Sequence, residues 1–497
     1  MSQGYDVIVV GAGSAGCVVA SRLAADAARP VLLLEAGPEI TSSVSPALRD
    51  GWGLPRGPDW PFDWGYQSEP DASGQTSPLR RGRVVGGTSW LTRFAVRGSA
   101  ADYDAWAANG LEGWSFDDVL PAFRGLESDR DFGAEAWHGT DGPIPIGRYP
   151  ELPRSDVHAA VVEALVGAGL PSIDDHNRPG ALGVGPMPMS SIDGRRVSAA
   201  DAFLPADRRP SSPAIQPDAP VASIVIREGR ARAVRLVDGS EIEGEQIVLC
   251  AGTYGSPTLL LRSGIGPAAD LRSHGLPVKV DLPGVGANLA DHPAVELVLG
   301  WSGAARQGPL LHSIASWRSR RAAADGSPDL LFWTYDPQGD PASISIESLL
   351  MRPRSRGSVR LASADPGDPP RISMPDIATA PDDVERLAEA FLRAVDVAAR
   401  PELRDVCPLP PGETPADAGG LRRYIIENTY HVPHVVGTCA MGVSPEDGAV
   451  VDGLGRVHGI DRLRVVDASI IPEPPSGFPN LITMMIAMRI SSEMASA

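Results

Sequence analysis

His434 stands directly before Val435-Val436-Gly437-Thr438, an imidazole ahead of a glycine turn. The unperturbed imidazole pKa of about 6.5 lies close to working pH, so such a group suits the removal of a hydroxyl proton. Alone, a histidine at a glycine turn is more often a hydrogen-bonded structural residue. His431 lies three residues earlier with Pro433 between them, and the proline argues against a shared helical face. Their relative direction stays open, and His431 reads as a pocket wall or an orienting partner. A metal held by these two histidines lacks a third ligand in the sequence, so none is expected. His292, closing Asn288-Leu289-Ala290-Asp291-His292, reads as structural. Glu347 reads either as a partner for a cationic substrate or as a surface carboxylate. A second kind of chemistry belongs to Gly11-Ala12-Gly13-Ser14-Ala15-Gly16, a spacing that brings backbone close to a phosphate.

The elements around that loop fit the same purpose. Asp6–Val10 (DVIVV) is a β-branched run of the kind buried on both faces of a parallel sheet. Cys17–Ala24 has helical spacing, and Pro30–Leu34 forms a second strand ending at Glu35. In this order Gly11 permits the tight turn, Gly13 lets backbone approach a pyrophosphate, and Gly16 allows close helix–strand packing. The helix N-terminus favours phosphate charge, and Glu35 is placed to accept from ribose hydroxyls. Further on, Arg81–Gly98 is glycine-rich and polar, suited to lie against a flat ligand or to form a surface loop. Ile247–Cys250 and Leu463–Val466 read as buried strands, Leu481–Met488 as an apolar helix. Pro328–Tyr335, Ile344–Met351 and Gly357–Ala362 read as strands or hairpin arms, with a turn at Arg354–Gly357 between the last two. Pro381–Arg400 is predicted as a capped helix of period 3.6.

Composition narrows the classes. The chain has 497 residues, with 44 Lys+Arg against 62 Asp+Glu, a net charge of −18. Such a field repels nucleic acid and anionic lipid, so no nucleic-acid or membrane partner is expected. Lys279 is the only lysine, which weighs against Schiff-base chemistry. Cys17, Cys250, Cys407 and Cys439 lie far apart and form no C-x-x-C pair, supporting neither a disulfide framework nor a zinc site. With no secretory-type N-terminus and no long apolar run, a cytoplasmic protein is expected.

Taken together, the first glycine loop, VVGGTSWLT (84–92), GTYGSPTLLLRSGIG (252–266), LPGVGANLADH (282–292), HVVGTCAMG (434–442) and LRVVDASIIP (463–472) resemble, in order and spacing, the glucose–methanol–choline (GMC) oxidoreductases. The resemblance implies an α/β fold: a doubly wound, Rossmann-like FAD-binding domain assembled from residues 1–155, 191–296 and 425–497. A substrate domain on a mostly antiparallel sheet with helices would use 156–190 and 297–424. It implies FAD held by Gly11, Gly13, Ser14, Ala15, Gly16, Glu35, Ala36, Val85, Gly86, Gly87, Ser89, Val221, Asp467, Ala468 and Asn480. Thr92 stands where the family usually has asparagine. Trp90 and Leu91 stand near where some members carry a flavin-linking histidine, so noncovalent FAD is expected. His434 as base and Asn480 as amide donor to the developing alkoxide become the catalytic pair. The pocket would include His431, Trp90 and Glu347. The implied activity is oxidation of a small primary or aryl-type alcohol, with oxygen or a quinone-like acceptor restoring the flavin. The alternative is a redox-silent lyase that keeps FAD for structure.

Overall fold

The computed structural model describes residues 4–25, 29–40, 46–50, 60–71, 74–149, 155–205, 213–300, 311–335, 343–407, 415 and 417–496. The chain passes repeatedly between two sheets. It opens with β1 (Tyr5–Val10), α1 (Ser14–Leu23) and β2 (Val31–Leu34), then crosses to α2 (Asp156–Gly167) and β3 (Gly183–Pro186). It returns through β4 (Ala214–Gln216), β5 (Val221–Arg227), β6 (Arg230–Leu236), β7 (Glu241–Leu249) and α3 (Gly252–Arg262). The second unit resumes with β8 (Ala290–Gly300), β9 (Leu311–Trp317), β10 (Leu330–Tyr335), β11 (Ser343–Leu350), α4 (Pro381–Ala398) and β12 (Tyr430–Val436). Finally β13 (Leu463–Val465) and α5 (Pro479–Ser496) close the first unit.

The first sheet runs β4-β2-β1-β7-β6-β5, with β13 also paired to β7. Its β4, β2, β1, β7 and β13 ladders are parallel, whereas β7-β6-β5 is an antiparallel meander. Val7–Val10, buried on both faces, align with Val31–Leu34 on one side and Gln246–Leu249 on the other. This delivers Gly11 to the carboxyl ends of the strands, where an open α/β sheet presents ligand sites. Helix α1 packs along α5, joining the two ends of the chain.

The second sheet, β12-β8-β11-β10-β9-β3, is antiparallel throughout. One face is covered by α4 and α2, whose Leu387, Phe391, Val161 and Leu165 join Val295, Leu297, Phe332 and Ile346 in one core. Burying each such side chain contributes roughly 1.5–3 kcal/mol. Pro381 sits in the first turn of α4, where its missing N–H is harmless.

Two expectations need correcting. The stretches Ala290–Glu296 and Tyr430–Val436, expected in the nucleotide unit, are strands of the second sheet. Nor do β11 and Ser358–Arg360 form a hairpin: β11 pairs with β8 and β10, and Ser358–Arg360 pairs with Arg371–Ser373. The intervening chain is drawn onto the start of α4, where Asp383 accepts from the backbone N–H groups of Arg354 and Ser355. Among the described residues, no helix is long and apolar enough to cross a membrane.

Candidate active site

A cavity of about 910 Å³ lies between the two sheets, from Gly11 and Val221 at one end to Glu347 and His434 at the other. Gly11 has φ +98°, and a Cβ there would come 2.5 Å from the Cys250 carbonyl oxygen. At Gly16 a Cβ would lie 1.8 Å from the Gly11 carbonyl oxygen, so this glycine is a packing requirement behind the cavity wall. Gly13 differs: a Cβ there meets nothing within 4 Å and would project into open space. Gly252, φ +77° and also on the wall, is open in the same way. The first-turn N–H groups of α1, at Ser14 and Ala15, have no intrahelical partner and face this end.

Glu35 and Ala36 line the same region. Glu35 Oε2 accepts from Ala12 N and Oε1 from Gly37 N, both at 2.9 Å, and burial pushes its pKa up to about 7. Its carboxyl group therefore fastens the glycine loop to the end of β2, an anchoring role beside the ribose contact expected. Asp467 Oδ2 accepts from Gly252 N (2.9 Å) and Ser256 Oγ (2.6 Å), so it too is a backbone fastener, with Ala468 beside it on the wall.

The 84–92 segment divides in a way the sequence does not reveal. Gly87–Trp90 is a 3₁₀ turn, in which residues three apart share a face. Thr88 and Leu91 therefore reach the cavity together, with Gly87 and Thr92. Val85, Gly86 and Ser89 fall behind the wall. Gly86 N–H donates to Ala12 O, and Ser89 Oγ accepts from Ala199 N. Trp90 is not a pocket residue: it is buried, its Nε1 donates to the Val85 carbonyl at 2.9 Å, and Arg49 lies over its ring.

At the other end, β12 carries both His431 and His434 on the cavity wall. Residues three apart on a regular strand point to opposite faces. Here the register slips: Ala290 pairs with Val436 but His292 with Val432, so β12 bulges around Pro433. The bulge turns both rings toward one space. Asn480 opens α5, and its Oδ1 accepts from Ser14 Oγ at 2.7 Å. That bond ties the base of the glycine loop to the start of α5 and leaves the Asn480 amide hydrogens to other acceptors.

His434 N donates to Asp291 Oδ1 at 2.9 Å, and its Nδ1 lies 3.0 Å from His292 Nδ1. The ring sits beside Phe478 and Trp333. Burial first, then the neighbouring His292 and the Arg81 guanidinium, hold its pKa well below 6.5. It is neutral at working pH, the form that accepts a proton. His431 is likewise held down to about 4, chiefly by burial. Glu347 is no surface group: it is buried on β11, accepting from Trp333 Nε1 (2.6 Å) and from the Tyr430 hydroxyl. Phe94, Tyr335 and Phe478 complete an aromatic wall.

Sequence reasoning missed Asp291 and Arg81 and did not anticipate the contact made by His292. Asp291 and His292 sit in a recognisable segment, but their partner His434 lies 143 and 142 residues away. No local pattern connects them.

Residues 5–294 and 353–487 match the N- and C-terminal family models described as GMC oxidoreductase. The chain is 34% identical to 5-(hydroxymethyl)furfural oxidase of Methylovorus sp. (strain MP688), over 98% of this chain and 98% of that protein. It is also 34% identical to an oxygen-dependent choline dehydrogenase of Rhizobium meliloti (strain 1021), over 97% of this chain and 93% of the other. Among solved structures, pyridoxine 4-oxidase from Mesorbium loti superposes with a TM-score of 0.89 at 31% identity, covering 99% of this chain and 100% of that one.

Proposed function

This chain belongs to the GMC oxidoreductase family of FAD enzymes, and we propose that it oxidises a small primary or aryl-type alcohol, with His434 as the base. The residues present suit FAD. Gly13 and Gly252 leave room that a Cβ would fill, and the first-turn amides of α1 offer an anion site for a pyrophosphate. Gly11, Ser14, Ala15, Ala36 and Val221 would hold the nucleotide half, with Gly87, Thr92, Asp467, Ala468 and Asn480 toward the flavin. The wall residues Thr88, Leu91 and Thr92 include no imidazole, cysteine or tyrosine to form a covalent link, which supports noncovalent binding.

Alcohol oxidation removes the hydroxyl proton and the carbon-bound hydrogen with its electron pair; bound FAD supplies the acceptor for the second. His434, held neutral by its desolvated surroundings, takes the first. The Asn480 amide donates to the oxygen as it becomes an alkoxide. Phe94, Trp333 and Phe478 exclude water and orient the carbon chain.

The observation that carries this reading is the placement of His434 and Asn480 on one cavity with the glycine cradle. His434→Ala should slow anaerobic flavin reduction by about a hundredfold or more while the protein keeps its FAD. A rate near that of the wild type would remove His434 from the role. Turnover of a cyanohydrin with no flavin spectral change would favour the lyase instead.

A further inference from the structure

Resting on His434 as the base, we infer that His292 is a positioning residue that fixes the working tautomer of His434, hydrogen on Nδ1 and lone pair on Nε2. The argument begins at a backbone carbonyl. His292 Nε2 lies 3.0 Å from the Pro475 carbonyl oxygen. A carbonyl only accepts, so Nε2 carries the hydrogen. His292 is fully buried and burial holds its pKa down to about 4, so the ring is neutral with a single N–H. Its Nδ1 is therefore a lone pair. That lone pair faces His434 Nδ1 at 3.0 Å, and the contact is favourable only when His434 Nδ1 donates. A neutral His434 has then no hydrogen on Nε2.

The direction of the ring agrees. His434 lines the cavity, whereas His292 does not. The Nδ1 edge of His434 points back into the protein, and Nε2, on the other side of the ring, is left for substrate. The Met351 carbonyl is a further backbone acceptor beside the His292 ring. The contact at hydrogen-bond distance, however, is the one from Nε2 to the Pro475 carbonyl, which is why the hydrogen is assigned there. Asp291 Oδ1 is taken up by the backbone N–H groups of His292 and His434. His431 Nδ1 lies beside the other Asp291 oxygen at 3.8 Å. Arg81 adds positive potential and has no acceptor. When the alcohol O–H bond breaks and an Nε2–H bond forms, the new imidazolium keeps its Nδ1–H bond to His292, whose lone pair then accepts from a charged donor. The same contact thus selects the basic nitrogen and supports it once protonated. His292 touches no substrate.

The test uses FAD-loaded enzyme with ¹⁵N-labelled histidine, benzyl alcohol as probe, and the variants His292→Leu and His292→Gln. In the wild type at neutral pH, the His434 signal, identified by its loss in His434→Ala, should show a protonated Nδ1 and a bare Nε2. Leu removes the acceptor, and the signal should move toward the Nε2–H form. The limiting rate of flavin reduction should fall about a hundredfold, with little change in alcohol affinity. Gln again offers one acceptor and one donor, and should restore the rate to within about tenfold of wild type. A wild-type His434 protonated on Nε2 overturns the inference, as does a Leu variant that reduces flavin as fast as wild type. Should Leu fail to fold, or benzyl alcohol fail to react, the wild-type and Gln tautomers decide. Loss of rate in His434→Ala with no effect in His292→Leu would sink this inference and leave the base intact. A fast His434→Ala would sink the base reading alone, since the tautomer is read independently.

Discussion

Asp291 is fully buried, with Oδ1 accepting from two backbone N–H groups and Oδ2 without a hydrogen-bond partner. Burial pushes its pKa up to about 8. Between the unfolded carboxyl pKa of about 4 and that value, the folded state holds a proton that the unfolded state has lost, so its contribution makes stability fall as pH rises. Asp291→Asn keeps the accepting oxygen and removes the titration. The variant should therefore gain on wild type, in melting temperature, between about pH 5 and pH 8.5; an equal difference at both pH values refutes the assignment. For catalysis the sign is opposite. His434 must be unprotonated, and its pKa lies well below 6.5, so the flavin-reduction rate should be level through neutrality and fall only in acid. Glu347 lies in the aromatic wall, and we propose that its carboxylate disfavours a substrate carboxylate. Glu347→Gln should raise the rate with 4-(hydroxymethyl)benzoate relative to benzyl alcohol by about tenfold, equivalent to about 1.4 kcal/mol. An unchanged ratio would place Glu347 outside the substrate's reach.

At the scale of the element, the glycine loop shows why spacing and packing must be separated. Gly13→Ala introduces a methyl that meets no protein atom, at a φ of −80° that alanine accepts. Gly16→Ala drives one into the Gly11 carbonyl. The first should fold normally and bind FAD at least tenfold more weakly in a fluorescence titration, as a cradle filled by its own wall; the second should lose stability even without FAD. Equal behaviour of the two would contradict the distinction. Phe391 on α4 is fully buried under the second sheet, and Phe391→Ala should cost about 3–5 kcal/mol in urea unfolding. The strand–loop–helix around Gly11 and the helix at 381–398 were legible because their patterns are local. The 3₁₀ turn that hides Trp90 and the bulge that turns both histidines inward were not. Each depends on which face a neighbouring element covers.

Over the whole molecule, the cavity is walled by both units, so FAD binding should act on global stability. Ligand at roughly 100 times its Kd adds about 2.7 kcal/mol, and the melting temperature should rise with added FAD. Acid precipitation should release all the flavin to the supernatant; yellow protein in the pellet would contradict noncovalent binding. The amino-acid order alone determined the α/β nucleotide unit, the family resemblance and FAD, because glycine turns and buried strands are written in neighbouring residues; through that resemblance it also put forward His434 and Asn480 as the pair to test. It could not place Ala290–Glu296 and Tyr430–Val436 in the second sheet, since strand pairing is a choice among distant partners. Nor could it tell that Glu347 faces inward, that Ser14 holds Asn480, or that His292 meets His434. Those contacts join residues far apart in the chain, and only the packing of two sheets around one cavity decides which side chains are close enough to exchange a hydrogen.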